Sequence, residues 1–175
     1  MATIGGGGLI VAARKIHYEA AFEAFLRDRK IPYVAVDEAK RALFANARLK
    51  SFDFVVYSKK GPNLLVDVKG RMGRKRAGRG VFETWTTQRD VTDLMQWEEV
   101  FGEDFKAILM FVYWIDAPLS PGPGMFEHQD KWYWLMGIDL AEYRNHMRRR
   151  SPKWETVCLP AKEFRSLARP MESWL

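Results

Sequence analysis

Two aspartates and a lysine stand where surface chemistry does not explain them. Asp53 lies within Ser51 to Ser58 (SFDFVVYS), and Asp67 and Lys69 lie within Leu64 to Lys69 (LLVDVK). Both stretches are rich in aromatic, β-branched and aliphatic residues, which predicts strands. Between them, Lys59-Lys60-Gly61-Pro62-Asn63 carries turn chemistry, so the two strands read as a hairpin. Side chains alternate across a strand. Asp53 therefore shares a face with Val55 and Tyr57, and Asp67 with Leu65 and Lys69. Paired in the hairpin, the three charged heads fall on one face of the sheet. An unpartnered charge inside an apolar strand costs several kcal/mol, and two carboxylates held together raise one another's pKa. A hard divalent cation relieves both penalties. Mg²⁺ takes one or two carboxylates and keeps waters for a substrate, and Mn²⁺ accepts the same oxygen ligands. The expected chemistry is metal-assisted hydrolysis.

The tripeptide acid-x-Lys is cheap and recurs at Asp28-Lys30, Glu38-Lys40 and Asp104-Lys106. Those three read as solvated charge pairs. Only Asp67-Val68-Lys69 sits in an apolar strand beside another strand with its own isolated acid. The competing explanation is a surface ion pair of Lys69 with Asp67 or Asp53.

The elements that must hold this hairpin follow from periodicity. Ile16 to Lys30 has an apolar stripe of Ile16, Ala20, Phe22, Phe25 and Leu26, which predicts an amphipathic helix ended by Pro32. Tyr33–Val36 reads as a short strand, and Asp37 as the cap of a second helix to about Ala47, burying Ala39, Leu43 and Phe44. Gly70 to Gly80 reads as a Gly- and Arg-rich loop. Thr87 to Phe101 is a helix stopped by Gly102, and Phe105 to Ile115 a central strand covered on both faces. After the Pro118–Gly124 loop come a strand over Lys131–Ile138, a short helix capped by Asp139, a strand over Trp154–Leu159 and a last helix over Pro160–Leu167. Residues 1–15 read as a flexible lead-in and 16–175 as one domain. The class is α/β, a mixed central sheet with flanking helices.

Together these residues resemble the PD-(D/E)xK nuclease superfamily, which includes restriction endonucleases and Holliday junction resolvases. The resemblance spans about residues 16 to 115. It rests on Asp53, then Asp67-Val68-Lys69 on the next strand, a preceding helix with His17-Tyr18-Glu19, and a crossover helix over Trp85–Trp97. Phe52 stands where the family most often has Pro, and Asp67 where it most often has Glu. The resemblance implies a restriction endonuclease-like core and catalytic roles for Glu19, Asp53, Asp67 and Lys69. It also implies Mg²⁺ held by Asp53, Asp67 and the Val68 carbonyl, and phosphodiester hydrolysis with DNA as the first expectation. The superfamily includes members without catalysis, so a nucleic-acid-binding domain of the same fold stands as the alternative. A dimer formed through the aromatic strand is a third.

Charge agrees with a polyanionic partner. The 175 residues carry 28 Lys and Arg against 22 Asp and Glu, a formal charge of +6. Arg71, Arg74, Lys75, Arg76 and Arg79 follow Lys69 directly with no acid among them, which suits contact with a phosphate backbone. A second basic cluster, Arg144, Arg148, Arg149, Arg150 and Lys153, is equally well read as nucleic-acid contact or as a solvated face. Gln88 and Gln96 read as solvated helix residues and His17 as structural. The tryptophans read mostly as core.

Other classes lose support. A single cysteine, Cys158, forbids an intrachain disulfide and points to a reducing, cytoplasmic setting. The longest apolar run, Ala107 to Ile115, falls well short of the roughly 20 residues of a membrane span. Met1 to Ala13 lacks the basic start and apolar core of a secretory leader. Gly5–Gly8 lacks the Lys-Ser/Thr of a nucleotide-binding loop, and no Ser or Cys triad is evident.

Overall fold

The computed structural model describes the backbone of residues 7–36, 43–44, 47–76 and 79–175, and the side chains of 17–36, 49–74 and 80–175. The chain runs α1 (Gly7–Asp28), β1 (Tyr33–Ala35), β2 (Leu43–Phe44), β3 (Ala47–Arg48), β4 (Phe54–Val56) and β5 (Asn63–Met72). There follow β6 (Arg74–Arg76), β7 (Arg79–Val81), β8 (Thr86–Thr87), α2 (Gln88–Phe101) and β9 (Phe105–Ile115). The last part comprises β10 (Met125–His128), β11 (Lys131–Asp139), α3 (Leu140–His146), β12 (Arg148–Ser151), β13 (Thr156–Cys158), α4 (Ala161–Leu167) and β14 (Arg169–Pro170). No described helix is long and apolar enough to cross a membrane.

The main sheet has the order β1-β4-β5-β9-β11-β10, with β14 also on β11. Its two central strands, β5 and β9, are parallel, and its other pairs are antiparallel. A parallel pair needs a crossover, and α2 supplies it. β9 is buried from Ala107 to Tyr113 because helices cover both faces. Its odd residues, with Val55 and Leu65, join Val91, Leu94 and Trp97 of α2 and Tyr143 of α3. Its even residues, with Val66 and Val68, join Phe22, Phe25 and Leu26 of α1.

Thr87 caps α2 in a reciprocal box: its hydroxyl accepts the Asp90 N–H at 3.0 Å, and the Asp90 carboxylate turns back to the Thr87 N–H. Gly102 ends α2 at φ 84°, a conformation that disfavours a side chain. Gly70 has a different reason: a Cβ there would stand 2.1 Å from the Tyr18 ring, so α1 rests directly on the backbone of β5.

Several elements depart from expectation. α1 begins at Gly7 rather than Ile16. The helix expected from Asp37 to Ala47 falls largely on residues outside those described, Ala39 among them; its described part, Leu43–Phe44 and Ala47–Arg48, is a short antiparallel ladder. The expected Gly70–Gly80 loop is also corrected. β5 continues to Met72 because it pairs with β9 along its whole length, Asn63 with Phe105 through Met72 with Trp114. Arg74–Arg76 then pairs with Arg79–Val81 as a hairpin. Backbone pairing at the end of a sheet outweighs a Gly- and Arg-rich composition there.

Candidate nuclease site

The hairpin pairs as its turn predicts, Phe54 with Val66, but the side-chain alternation is interrupted at Asp53: Phe52 joins Val55 in the core under α2, while Phe54 and Val56 face α1. The Asp53 N–H donates to the Val66 carbonyl at 2.9 Å, which holds Asp53 against the edge of β5 next to Asp67. Asp53, Asp67 and Lys69 are only 5%, 7% and 9% exposed, and Asp67 and Lys69 point to the α2 side. What meets them there is Asp90, at the start of α2 and 6% exposed. The Lys69 ammonium is held between two carboxylates, 2.7 Å from Asp67 Oδ2 and 2.9 Å from Asp90 Oδ2.

Asp90 is the hub of the cluster. Its Oδ1 lies 2.5 Å from Lys50 Nζ, and its Oδ2 accepts the Thr86 hydroxyl at 2.8 Å. Asp93, one turn on, accepts the Lys50 N–H at 2.9 Å and faces Arg89 Nε at 3.2 Å. Burial alone would raise the Asp90 pKa, but Lys69 and Lys50 hold it well below the usual carboxylate range. For Lys69, burial works to neutralise the amine, and Asp67 and Asp90 more than reverse it, so its pKa is raised. Lys69 therefore stays cationic at neutral pH and cannot act as a base.

Asp53 is held differently: its Oδ2 accepts the Val68 N–H at 2.6 Å. In a strand the N–H and C=O of one residue point to the same side, so the Val68 carbonyl also faces the β4 edge. The oxygens that could serve a cation here are the Asp53 and Asp67 carboxylates and the Val68 carbonyl, all hard, with Asp67 Oδ2 already engaged by Lys69. That chemistry fits Mg²⁺ or Mn²⁺ with retained waters. Among the described residues no group of three or more His, Cys, Asp or Glu could hold a metal, so any such ion would rest on this sparse set. Glu19 stands on α1 next to His17 and Tyr18, which line the same cleft as Lys69.

Lys69 and Asp90 open into a cleft of about 630 Å³. His17, Tyr18, Arg71, Trp85 and Trp114 form much of its wall, and Arg74 stands at its exposed rim. The Arg71 guanidinium turns inward, donating to the Gly70 carbonyl at 2.7 Å and to the Trp85 carbonyl, and lies 4.0 Å over the Trp85 ring. Burial lowers its pKa from the usual guanidinium value. Lys75, Arg76 and Arg79 lie on the β6–β7 hairpin, with their side chains outside those described. His17 Nδ1 bonds the Tyr133 hydroxyl at 2.9 Å, a structural contact, though the ring also lines the cleft. Gln88 and Gln96 are exposed.

No family model matches the chain, and no curated protein sequence does. A search of solved structures finds similarity to Hjc, a Holliday junction resolvase from the archaeal hyperthermophile Archaeoglobus fulgidus. The match covers 91% of this chain and 98% of that one, with a TM-score of 0.55 and 12% identity. The fold is restriction endonuclease-like. Here the crossover helix supplies Asp90, which the sequence reading did not single out and which also closes the capping box with Thr87. Lys50, before β4, had no sequence signal at all.

Proposed function

We propose that the chain is a metal-dependent nuclease of the PD-(D/E)xK type, acting on nucleic acid and in the first place on DNA. The observation that carries this is Lys69, a buried ammonium fixed by Asp67 and Asp90 at the floor of a cationic cleft, with the Asp53 carboxylate on the neighbouring Val68 N–H. Asp53, Asp67 and the Val68 carbonyl would hold Mg²⁺ or Mn²⁺. When bound, that ion supplies Lewis acidity toward a phosphoryl oxygen and a water of lowered pKa. Lys69, cationic at neutral pH, stabilises negative charge on the phosphate or orients the water, and Asp90 keeps the amine in place. Arg71 and Arg74 attract the phosphate backbone. The resolvase likeness supports the fold on which this site is built. Glu19, on α1 beside the cleft-lining His17 and Tyr18, would bind the metal through water or help position it.

The test is cleavage of supercoiled plasmid and of a labelled four-way DNA junction with Mg²⁺ or Mn²⁺, by wild type and Asp67→Asn. Cation-dependent cleavage that the substitution abolishes, with nucleic-acid binding kept, supports the proposal. A wild type that binds these substrates yet cleaves neither would leave a binding domain of the same fold.

A further inference from the structure

The two basic segments are far apart in sequence but meet on one indole. Trp85 lies just before β8, at the wall of the cleft. Arg71, from the end of β5, places its guanidinium carbon 4.0 Å from the ring centroid. Arg150, from β12, places its own 5.2 Å from the same centroid. The route is a small sheet in the order β12-β13-β8, with Arg149 paired to Val157 and Val157 to Thr86. It carries the second basic cluster to the mouth of the cleft.

Two guanidiniums within about 9 Å of each other repel. A single partly exposed acid, Glu83, offsets both: it lies 3.5 Å from Arg150 and its charge also favours the Arg71 cation. Arg71 makes no ion pair among the described residues, although it is largely buried and its Nε has no hydrogen-bond partner. The indole faces hold both cations in place, and an anion bridging them would relieve their repulsion. A planar guanidinium fixed on an aromatic ring is preorganised for phosphate.

We infer that Trp85, Arg71 and Arg150 form a phosphate seat outside the acid cluster, over which a nucleic-acid strand passes from the cleft to β12. This rests on the nuclease reading above and extends it from Arg71 to Trp85 and Arg150, which that reading does not need. Of the second basic cluster, Arg150 contacts the strand, whereas Arg144, an exposed residue in the last turn of α3, does not.

The experiment is fluorescence anisotropy of a labelled four-way junction and a duplex, with Ca²⁺ in place of Mg²⁺ to prevent cleavage. Salt is varied from about 50 to 200 mM. Arg150→Ala should weaken binding about tenfold and lower the salt slope by about one, as the loss of one charge-assisted phosphate contact does. Arg150→Lys keeps the charge but loses the planar stack, and should lose most of the same affinity. Arg144→Ala removes an equal charge and should change affinity less than about twofold, since an exposed charge off the path is screened. Arg150→Ala added to Trp85→Leu should cost nothing further, because the pair acts as one unit. If Trp85→Leu does not fold, the Arg150 pair carries the test alone. Equal losses from Arg150→Ala and Arg144→Ala, or a wild-type-like Arg150→Lys, would overturn the seat and leave the nuclease proposal standing. A wild type that binds no nucleic acid would overturn both.

Discussion

Asp90→Asn removes a single charge at the center of the buried cluster. The asparagine can still accept the Thr86 hydroxyl and the Thr87 N–H, so the helix cap largely survives. What is lost is the carboxylate between Lys69, 10% exposed at its side chain, and Lys50, 47% exposed. Removing one partner of a buried ion pair costs about 3–5 kcal/mol. Lys69 keeps Asp67 at 2.7 Å and Lys50 turns to water, which puts the loss at the low end, about 3 kcal/mol. For a chain of this size that is a fall in Tm of about 6–12 °C. The pH dependence has a defined sign. The Asp90 pKa is depressed in the folded state, so its contribution is fully present above the unfolded value and is lost as pH falls through the folded one. The gap between wild type and variant should therefore be widest near neutrality and begin to close only below about pH 4. Urea denaturation at a series of pH values measures it. A variant within about 0.5 kcal/mol of wild type at neutral pH, or a gap that ignores acidification, would refute the hub role of Asp90.

Lys69 has the opposite dependence: its raised pKa means that its contribution persists below the unfolded value and is lost as pH climbs through the folded one. Thermal unfolding above about pH 10 should accordingly fall more steeply for wild type than for Lys69→Met. Asp53→Asn should keep the Val68 N–H paired and leave stability within about 1 kcal/mol of wild type, whereas Asp53→Ala orphans that donor and should cost about 1–3 kcal/mol; both should abolish cation-dependent cleavage. Gly70→Ala drives a methyl group into the Tyr18 ring and should cost about 1–3 kcal/mol by thermal denaturation, with Tyr18→Ala restoring part of it.

The hairpin acids and Lys69 stood out because an isolated charge in an apolar strand is conspicuous, and alternation says which way Asp67 and Lys69 point, though it is interrupted at Asp53. The long helix and strand after them were legible for similar reasons: Thr87, Gly102 and the run from Phe105 to Ile115 are strong local signals. Asp90 was not. Its local role as a cap residue explains it fully, and its contact with Lys69 exists only once α2 crosses the sheet. Lys50 and Trp85 depend in the same way on docking of distant segments. The β6–β7 hairpin and β12 were hidden by composition, since arginine runs with glycine or without apolar alternation suggest solvated chain. These segments are strands because their backbones pair, Arg74 opposite Val81 and Arg148 opposite Cys158.

The most direct measurement of the central claim is anomalous scattering from crystals of the wild-type protein soaked in Mn²⁺. The account predicts a peak within about 2.0–2.6 Å of a carboxylate oxygen of Asp53, one of Asp67 and the Val68 carbonyl, a peak that Asp67→Asn removes. Occupied manganese sites elsewhere, with nothing between Asp53 and Asp67 and Lys69 still locked on its two carboxylates, would contradict it.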